Sequence, residues 1–140
     1  LRPATEFAYI RDGAALNVGY KTATSFESTT IAFGAIGIPE DEQLQIFQVI
    51  AAILHMGNIE VGITQEGHGY ISPTDPNVVH CARMLGCEVG PMLEALLMRN
   101  IQAGVQGSGD YYQVEMTQDQ AEDARNALAR TLYESMFVKL

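Results

Sequence analysis

The chain has 140 residues, a length that suits one compact domain rather than two. Apolar residues make up 47% and charged residues 18%, against about 25% charged in ordinary soluble domains, so part of the surface is expected to be covered by something else. The net charge of −9, with basic residues scattered singly from Arg2 to Lys139, speaks against a nucleic-acid binder, which needs a basic face to neutralise phosphates.

The sequence starts at Leu1 rather than Met. It stops at Phe137-Val138-Lys139-Leu140 in a helical pattern without a terminating Gly or Pro, so it is expected to be incomplete at both ends. No basic-then-apolar leader is present. The longest apolar run, Val49 to Leu54, is far short of the ~20 residues that cross a bilayer. The expectation is a soluble, intracellular protein with no membrane contact through this segment. Cys81 and Cys87 stand six apart in a predicted helical region, on different faces and about two turns apart, beyond the reach of a disulfide. They are expected to be reduced, half-buried thiols.

The first twenty residues are weakly patterned. Phe7, Tyr9 and Ile10 are candidate anchors, and Gly13 and Gly19 mark turns. A helix is predicted from Thr24, where Thr24 and Glu27 fit a capping box, with Phe26, Thr30, Ile31 and Phe33 as its apolar contacts. A second helix opens at Pro39-Glu40-Asp41-Glu42, where proline loses no hydrogen bond and carboxylates complement the N-terminal dipole. It runs to His55-Met56 and stops at Gly57-Asn58. From Phe47 onward it is apolar nearly all round, which predicts a helix enclosed by its neighbours.

Residues 59–63 alternate and read as a short strand, followed by a turn-rich loop over 65–69. Asp75 as N-cap and Pro76 at the first position start another helix, which carries Val78, Val79, Ala82 and Leu85 and ends at Gly86. A short helix over 91–98 follows. Residues 99–115 read as two extended arms around a Gly-rich tip, with Tyr111, Tyr112 and Val114 on the returning strand. Thr117 and Gln120 form a capping box. The last helix then runs to the end, with Ala121, Ala124, Leu128, Leu132 and Met136 on one face. The fold class is mainly α with a short β-hairpin.

Chemistry is sparse. His55, His68 and His80 have no second ligand at helical spacing, so ordinary core and surface roles outweigh a metal site. The glycines at 104–109 are not followed by Lys-Ser/Thr or by a helix, so they are no P-loop. His80 and Cys81 are helix neighbours that point apart and make no nucleophile–base pair.

Two stretches carry a resemblance. One runs from Gln45 to Ile59 and ends Ala51-Ala52-Ile53-Leu54-His55-Met56-Gly57-Asn58-Ile59. The other runs from Gln120 to Tyr133 and contains Arg125-Asn126-Ala127-Leu128-Ala129-Arg130. Both resemble the myosin motor head, whose pattern ends the first helix in Ala-Ala-Ile-Leu-His-Leu-Gly-Asn-Ile and carries Arg-Asp-Ala-Leu-Ala-Lys in the second. With a weaker match at Phe7 and Tyr9, the resemblance covers nearly the whole chain. It implies a fragment of the α/β P-loop myosin head, the upper 50-kDa subdomain between the first and second switch loops.

The implied parent is an actin-activated ATPase that uses ATP and Mg and moves along actin filaments in the cytoplasm and cytoskeleton. The implied partners are actin, the remainder of the head and, in the parent, light chains or calmodulin. No cofactor is expected on this segment alone, which would form a wall of the actin cleft. The hairpin over 99–115 corresponds to an actin-contacting loop, and its short form with a Tyr-x-Val return resembles class I myosins. Arg99, Gly107, Ser108, Gly109, Asp110 and Tyr111 are the implied actin-binding residues.

Many myosins keep an acidic or phosphorylatable residue on this loop, sixteen residues before the Asp of Arg-Asp-Ala-Leu. That register falls on Asp110, whereas Ser108 is two residues out of register. Read on its own, Asp110 is a turn residue after Gly109. The sequence departs from the family at Asn126, which replaces the Asp, at Lys139, where many myosins have Trp, and over 17–21, which lacks an acidic pair. The alternative to a motor fragment is a free-standing helical interaction module without catalysis.

Overall fold

The computed structural model of the chain describes residues 3–15, 22–102 and 111–139. A 3-10 turn at Ala4–Glu6 leads into α1 (Arg11–Ala15), then α2 (Thr22–Ala35) and α3 (Glu40–Gly57). The short strands β1 (Gly62–Ile63) and β2 (Gly69–Tyr70) form an antiparallel hairpin. α4 (Pro76–Leu85) and α5 (Val89–Leu97) follow, then β3 (Met98–Gln102), β4 (Tyr111–Glu115) and α6 (Gln118–Lys139). The architecture is mainly helical, as the sequence predicts, and the described residues form two small antiparallel hairpins where the sequence predicts one.

α3 is the centre. It packs against both α4 and α6. Ala51, Ala52, His55, Met56 and Gly57 are buried there. The core continues through Ile59, Ile71, Val78, Cys81, Leu96 and Ala121, each almost fully shielded. At about 25 cal/mol per Å² of apolar surface, such burial is the main favourable contribution to the fold.

The turns of α3 ahead of Phe47, where the enclosed stretch is expected to begin, are largely open. Leu44 is 58% exposed. Ile46 and Val49 line an open groove of about 680 Å³ against Leu132 and Met136 of α6, with Asp41 and Glu42 at its rim. α2 touches α3 mainly through aromatic rings: Phe26 and Phe33 lie 4.8 and 6.1 Å from Phe47. Ile31, expected among its contacts, is 67% exposed.

Several boundaries move for local reasons. α2 begins at Thr22, so Thr24 sits within its first turn and is not its cap. Pro39 is the N-cap of α3 rather than its first residue, in extended backbone at φ −69° and ψ 158°. Gly13 lies inside α1, and Gly19 falls outside the described residues. Only Gly62–Ile63 of the predicted 59–63 strand pairs, and its partner Gly69–Tyr70 comes partly from the expected loop. α5 starts two residues before Pro91, and Met98 opens β3 instead of closing the helix.

Other start and stop signals hold. The Asp75 carboxylate accepts from Asn77 N–H at 2.7 Å, and Gly86 closes α4 with a left-handed φ of +68°, a conformation glycine adopts without strain. In the box that starts α6, Gln120 N–H donates to Thr117 Oγ1 at 3.3 Å and Thr117 N–H donates to Gln120 Oε1 at 3.2 Å. Two orphan donors are thereby satisfied.

The two thiols are not alike. Cys87 lies past the end of α4 and is exposed, whereas Cys81 is buried. The Cys81 thiol donates to the Ala52 carbonyl at 3.1 Å and stitches α4 to α3. Burial, aided by the negative charge of Asp75 nearby, pushes its pKa from 9.0 up to about 12. A thiol whose pKa is raised on folding adds stability that is intact below the unfolded value and disappears as pH climbs through the folded one. Resistance to urea is therefore expected to fall as pH rises above about 9, and Cys81→Ala should flatten that slope. At neutral pH a disulfide reagent is expected to label Cys87 alone until the protein is unfolded; rapid labelling of both thiols would contradict the assignment.

Candidate functional site

Two places collect the residues that carry the sequence resemblance. The first is the end of α3. Asn58 faces the N-terminal segment and holds it with both ends of its amide. Its Oδ1 accepts from Ala8 N–H at 2.8 Å, and its Nδ2 donates to the Glu6 carbonyl at 2.7 Å. The sequence reading takes Gly57-Asn58 as a helix stop. The structure adds that Asn58 binds a strand of chain about fifty residues away.

Gly57 makes that approach possible. A Cβ there would lie 2.7 Å from Cδ2 of Tyr9, so the ring lies directly on the helix backbone. The Tyr9 hydroxyl continues to α6 and donates to Asn126 Oδ1 at 2.7 Å. Burial raises the pKa of this phenol, and the neighbouring Arg125 partly offsets the rise. Arg125 donates from Nη1 to the Ile59 carbonyl at 2.6 Å and from Nε to Asn126 Oδ1 at 3.2 Å. The two signature stretches, remote in sequence, meet at this corner. Beside them lies a cavity of about 420 Å³ lined by Arg11, Asn58, Glu60, Glu122 and Arg125 among others.

A histidine pair sits behind the corner. His55 is buried, with the Phe7 ring edge-on at 5.4 Å and the His80 ring at 5.0 Å. Asn77 fixes the His55 tautomer. The Asn77 Nδ2 donates to Asp75 Oδ1 at 3.1 Å and to the Asn58 carbonyl at 3.4 Å, which leaves its Oδ1, 3.0 Å from His55 Nδ1, as the acceptor. The proton therefore sits on Nδ1. Among the described residues no group of three His, Cys, Asp or Glu could hold a metal ion.

The second place is the β3–β4 ribbon. Its register pairs Met98 with Glu115, Arg99 with Val114, Asn100 with Gln113, Ile101 with Tyr112 and Gln102 with Tyr111. Paired residues share a face and successive residues alternate. Arg99, Ile101, Tyr112 and Val114 therefore form one face, while Asn100, Gln102, Tyr111, Gln113 and Glu115 form the other. Arg99 and Tyr111, two of the expected contact residues, stand on opposite faces. Every ribbon residue except Met98 is exposed, Tyr111 by 66% and Tyr112 by 57%. One lateral brace is present, from Gln113 Nε2 to Glu94 Oε1 of α5 at 2.7 Å. Gly107, Ser108, Gly109 and Asp110 lie outside the described residues.

Comparison with known proteins gives the family. The family described as myosin head (motor domain) matches residues 1–140. Myosin-K heavy chain of Dictyostelium discoideum is 35% identical over 98% of this chain and 16% of its own length. Myosin-1 of Mycosarcoma maydis is 37% identical over 94% of this chain and 10% of its own. Unconventional myosin-Vb of Rattus norvegicus is 33% identical over 96% of this chain and 7% of its own. The chain belongs to the myosin head (motor domain) family. It spans between 7% and 16% of the length of these relatives.

The corner at Asn58 predicts a particular sensitivity. Asn58→Asp keeps the shape but removes the donor to Glu6 and sets a carboxylate against that carbonyl. It is expected to lower the unfolding free energy by about 1–3 kcal/mol. Gly57→Ala should cost a similar amount, about 1–3 kcal/mol, because the Tyr9 ring must move. Denaturant unfolding measures both, and the result expected for Asn58→Asp includes faster amide exchange at Ala8.

Proposed function

We propose that this chain forms a wall of the actin-binding cleft of a myosin motor, the upper 50-kDa subdomain between the two switch loops, and presents the β3–β4 ribbon to an actin filament. The observation that carries the reading is the ribbon itself. It is an exposed two-stranded projection with Ile101, Tyr111 and Tyr112 open to solvent, in a chain of the myosin head family. Exposed aromatics on a braced element are what a protein–protein contact uses as anchors.

The site is made of Arg99, Tyr111 and the tip residues Gly107, Ser108, Gly109 and Asp110. The two opposed faces of the ribbon divide the work. Arg99 and Tyr112 address one side of the partner surface and Tyr111 the other. Asp110 supplies a permanent negative charge, so the loop needs no kinase. The short return, Tyr112-Gln113-Val114, supports a class I-like loop.

The parent is an actin-activated ATPase with ATP and Mg as cofactors. The sequence carries no P-loop lysine motif, so in this reading hydrolysis belongs to other parts of the head. The remainder of the head, with light chains or calmodulin further along the parent, completes the set of partners. No described helix is long and apolar enough to cross a membrane. The place of action is the cytoplasm, on the actin cytoskeleton.

Asp110→Ala in the full-length parent is expected to lower actin-activated ATPase more than basal ATPase. A rim charge steers association and fixes register, so the actin concentration at half-maximal rate should rise and the effect should shrink at high salt. Unchanged activation across a salt series would remove Asp110 from the interface.

A further inference from the structure

The β3–β4 ribbon has only two strands, and an isolated hairpin is marginally stable in water. Its direction must be set at its base. The base is built by the other hairpin. Leu97 and Met116 close the ribbon, with Met116 N–H donating to the Leu97 carbonyl at 2.8 Å. The Met116 carbonyl in turn accepts from Gly69 N–H of β2 at 2.8 Å. His68 bridges to Thr117, and its Nε2 lies 3.4 Å from Glu115 Oε2 at the end of β4. Gln118 Nε2 donates to the Val61 carbonyl at 2.7 Å and pins the segment leading into β1. Contacts along 61–69 thus fix the point where β4 turns into α6.

Gly69 is the tightest of these contacts. A Cβ on it would meet the Ala121 Cβ at 3.1 Å, the Thr117 carbonyl oxygen at 3.2 Å and the Met116 carbonyl oxygen at 3.4 Å. Ala121 is fully buried and the other two atoms are backbone, so a side chain here makes this junction give by a few tenths of an ångström rather than displacing a flexible tip. The exposed His68–Glu115 pair is a weaker fastener, because solvent screens it.

We infer that Gly69, assisted by the His68–Glu115 pair, is a positioning residue for the ribbon: the β1–β2 hairpin is a brace that sets the angle at which the ribbon meets its partner. The inference rests on the reading of the ribbon as an actin contact. Side chains added at position 69 push the brace off the β4–α6 junction and tilt the ribbon. The distant α3–α4 packing is untouched.

The test uses the full-length motor. Gly69→Ala is expected to raise the actin concentration for half-maximal ATPase by about threefold to tenfold, with basal ATPase and the rate at saturating actin within about twofold of the parent. Gly69→Val should do more. Adding Ala121→Gly to Gly69→Ala removes the closest obstruction and should bring the actin requirement back toward the parent, with Ala121→Gly alone as control. Glu115→Gln should give a smaller rise in the same direction, and with Gly69→Ala it carries the test if Gly69→Val does not fold.

An unchanged actin requirement in Gly69→Ala and Glu115→Gln would overturn the brace. So would a loss of basal ATPase in proportion to the actin-activated rate. Asp110→Ala measured alongside separates the two ideas. If Asp110→Ala raises the actin requirement and Gly69→Ala does not, the brace alone is wrong. If neither does, the actin reading fails and the brace falls with it.

Discussion

A peptide carbonyl and a peptide N–H near the start of the chain must be held somewhere, and the protein holds both on one side chain. Asn58 does this at the end of α3, the helix shared by the two largest helix–helix packings. The arrangement works only because residue 57 has no side chain. With Gly57 bare, the Tyr9 ring lies on the helix backbone, and the hydroxyl reaches α6. Phe7 is then carried into the core against His55. The corner thus joins local backbone geometry to long-range packing: one missing Cβ sets the approach, and one amide fixes its register. Among the described residues no buried side-chain polar atom lacks a partner, and leaving one unmade costs more than the average bond contributes.

The hairpins follow the opposite logic. β1–β2 and β3–β4 bury little, and neither has a sheet to join. Their order comes from where they touch each other. Met116 is shared, its N–H belonging to the ribbon and its carbonyl to the brace. Rigid helices below and a shared residue at the base let an exposed ribbon keep a direction without a core of its own. An element that projects into solvent without a core of its own needs this kind of support to stay ordered.

Much of this was legible in the sequence where a local chemical signal decides the structure. Asp75-Pro76 before an apolar helix, Gly86 after it, and Thr117 with Gln120 each satisfy backbone groups within a few residues, and each stands where the pattern places it. The ribbon was legible for the same reason. Thr24 shows the limit: a capping pair is present, yet the helix starts at Thr22, because the pattern alone does not say which hydroxyl faces the free N–H groups. Leu44 shows another. An apolar side chain does not by itself decide burial, which depends on what packs opposite, and Leu44 stays largely exposed. The candidate site divides likewise. Arg99 and Tyr111 were legible as residues of the two extended arms, but their opposite orientation depends on register, which appears only when the strands are paired. The bond from Asn58 to residues 6 and 8 left no periodic signal at all.

Asn126 stands where the family pattern has a carboxylate, and it accepts both the Tyr9 hydroxyl and the Arg125 Nε–H. An aspartate there would bind Arg125 as an ion and would lose that ion in acid. The amide carries no proton that comes and goes. The latch between the N-terminal segment and α6 is therefore made of uncharged acceptors throughout, Asn58 Oδ1, the Ile59 carbonyl and Asn126 Oδ1. Acidification that strips carboxylates elsewhere in so acidic a chain leaves this latch chemically unchanged.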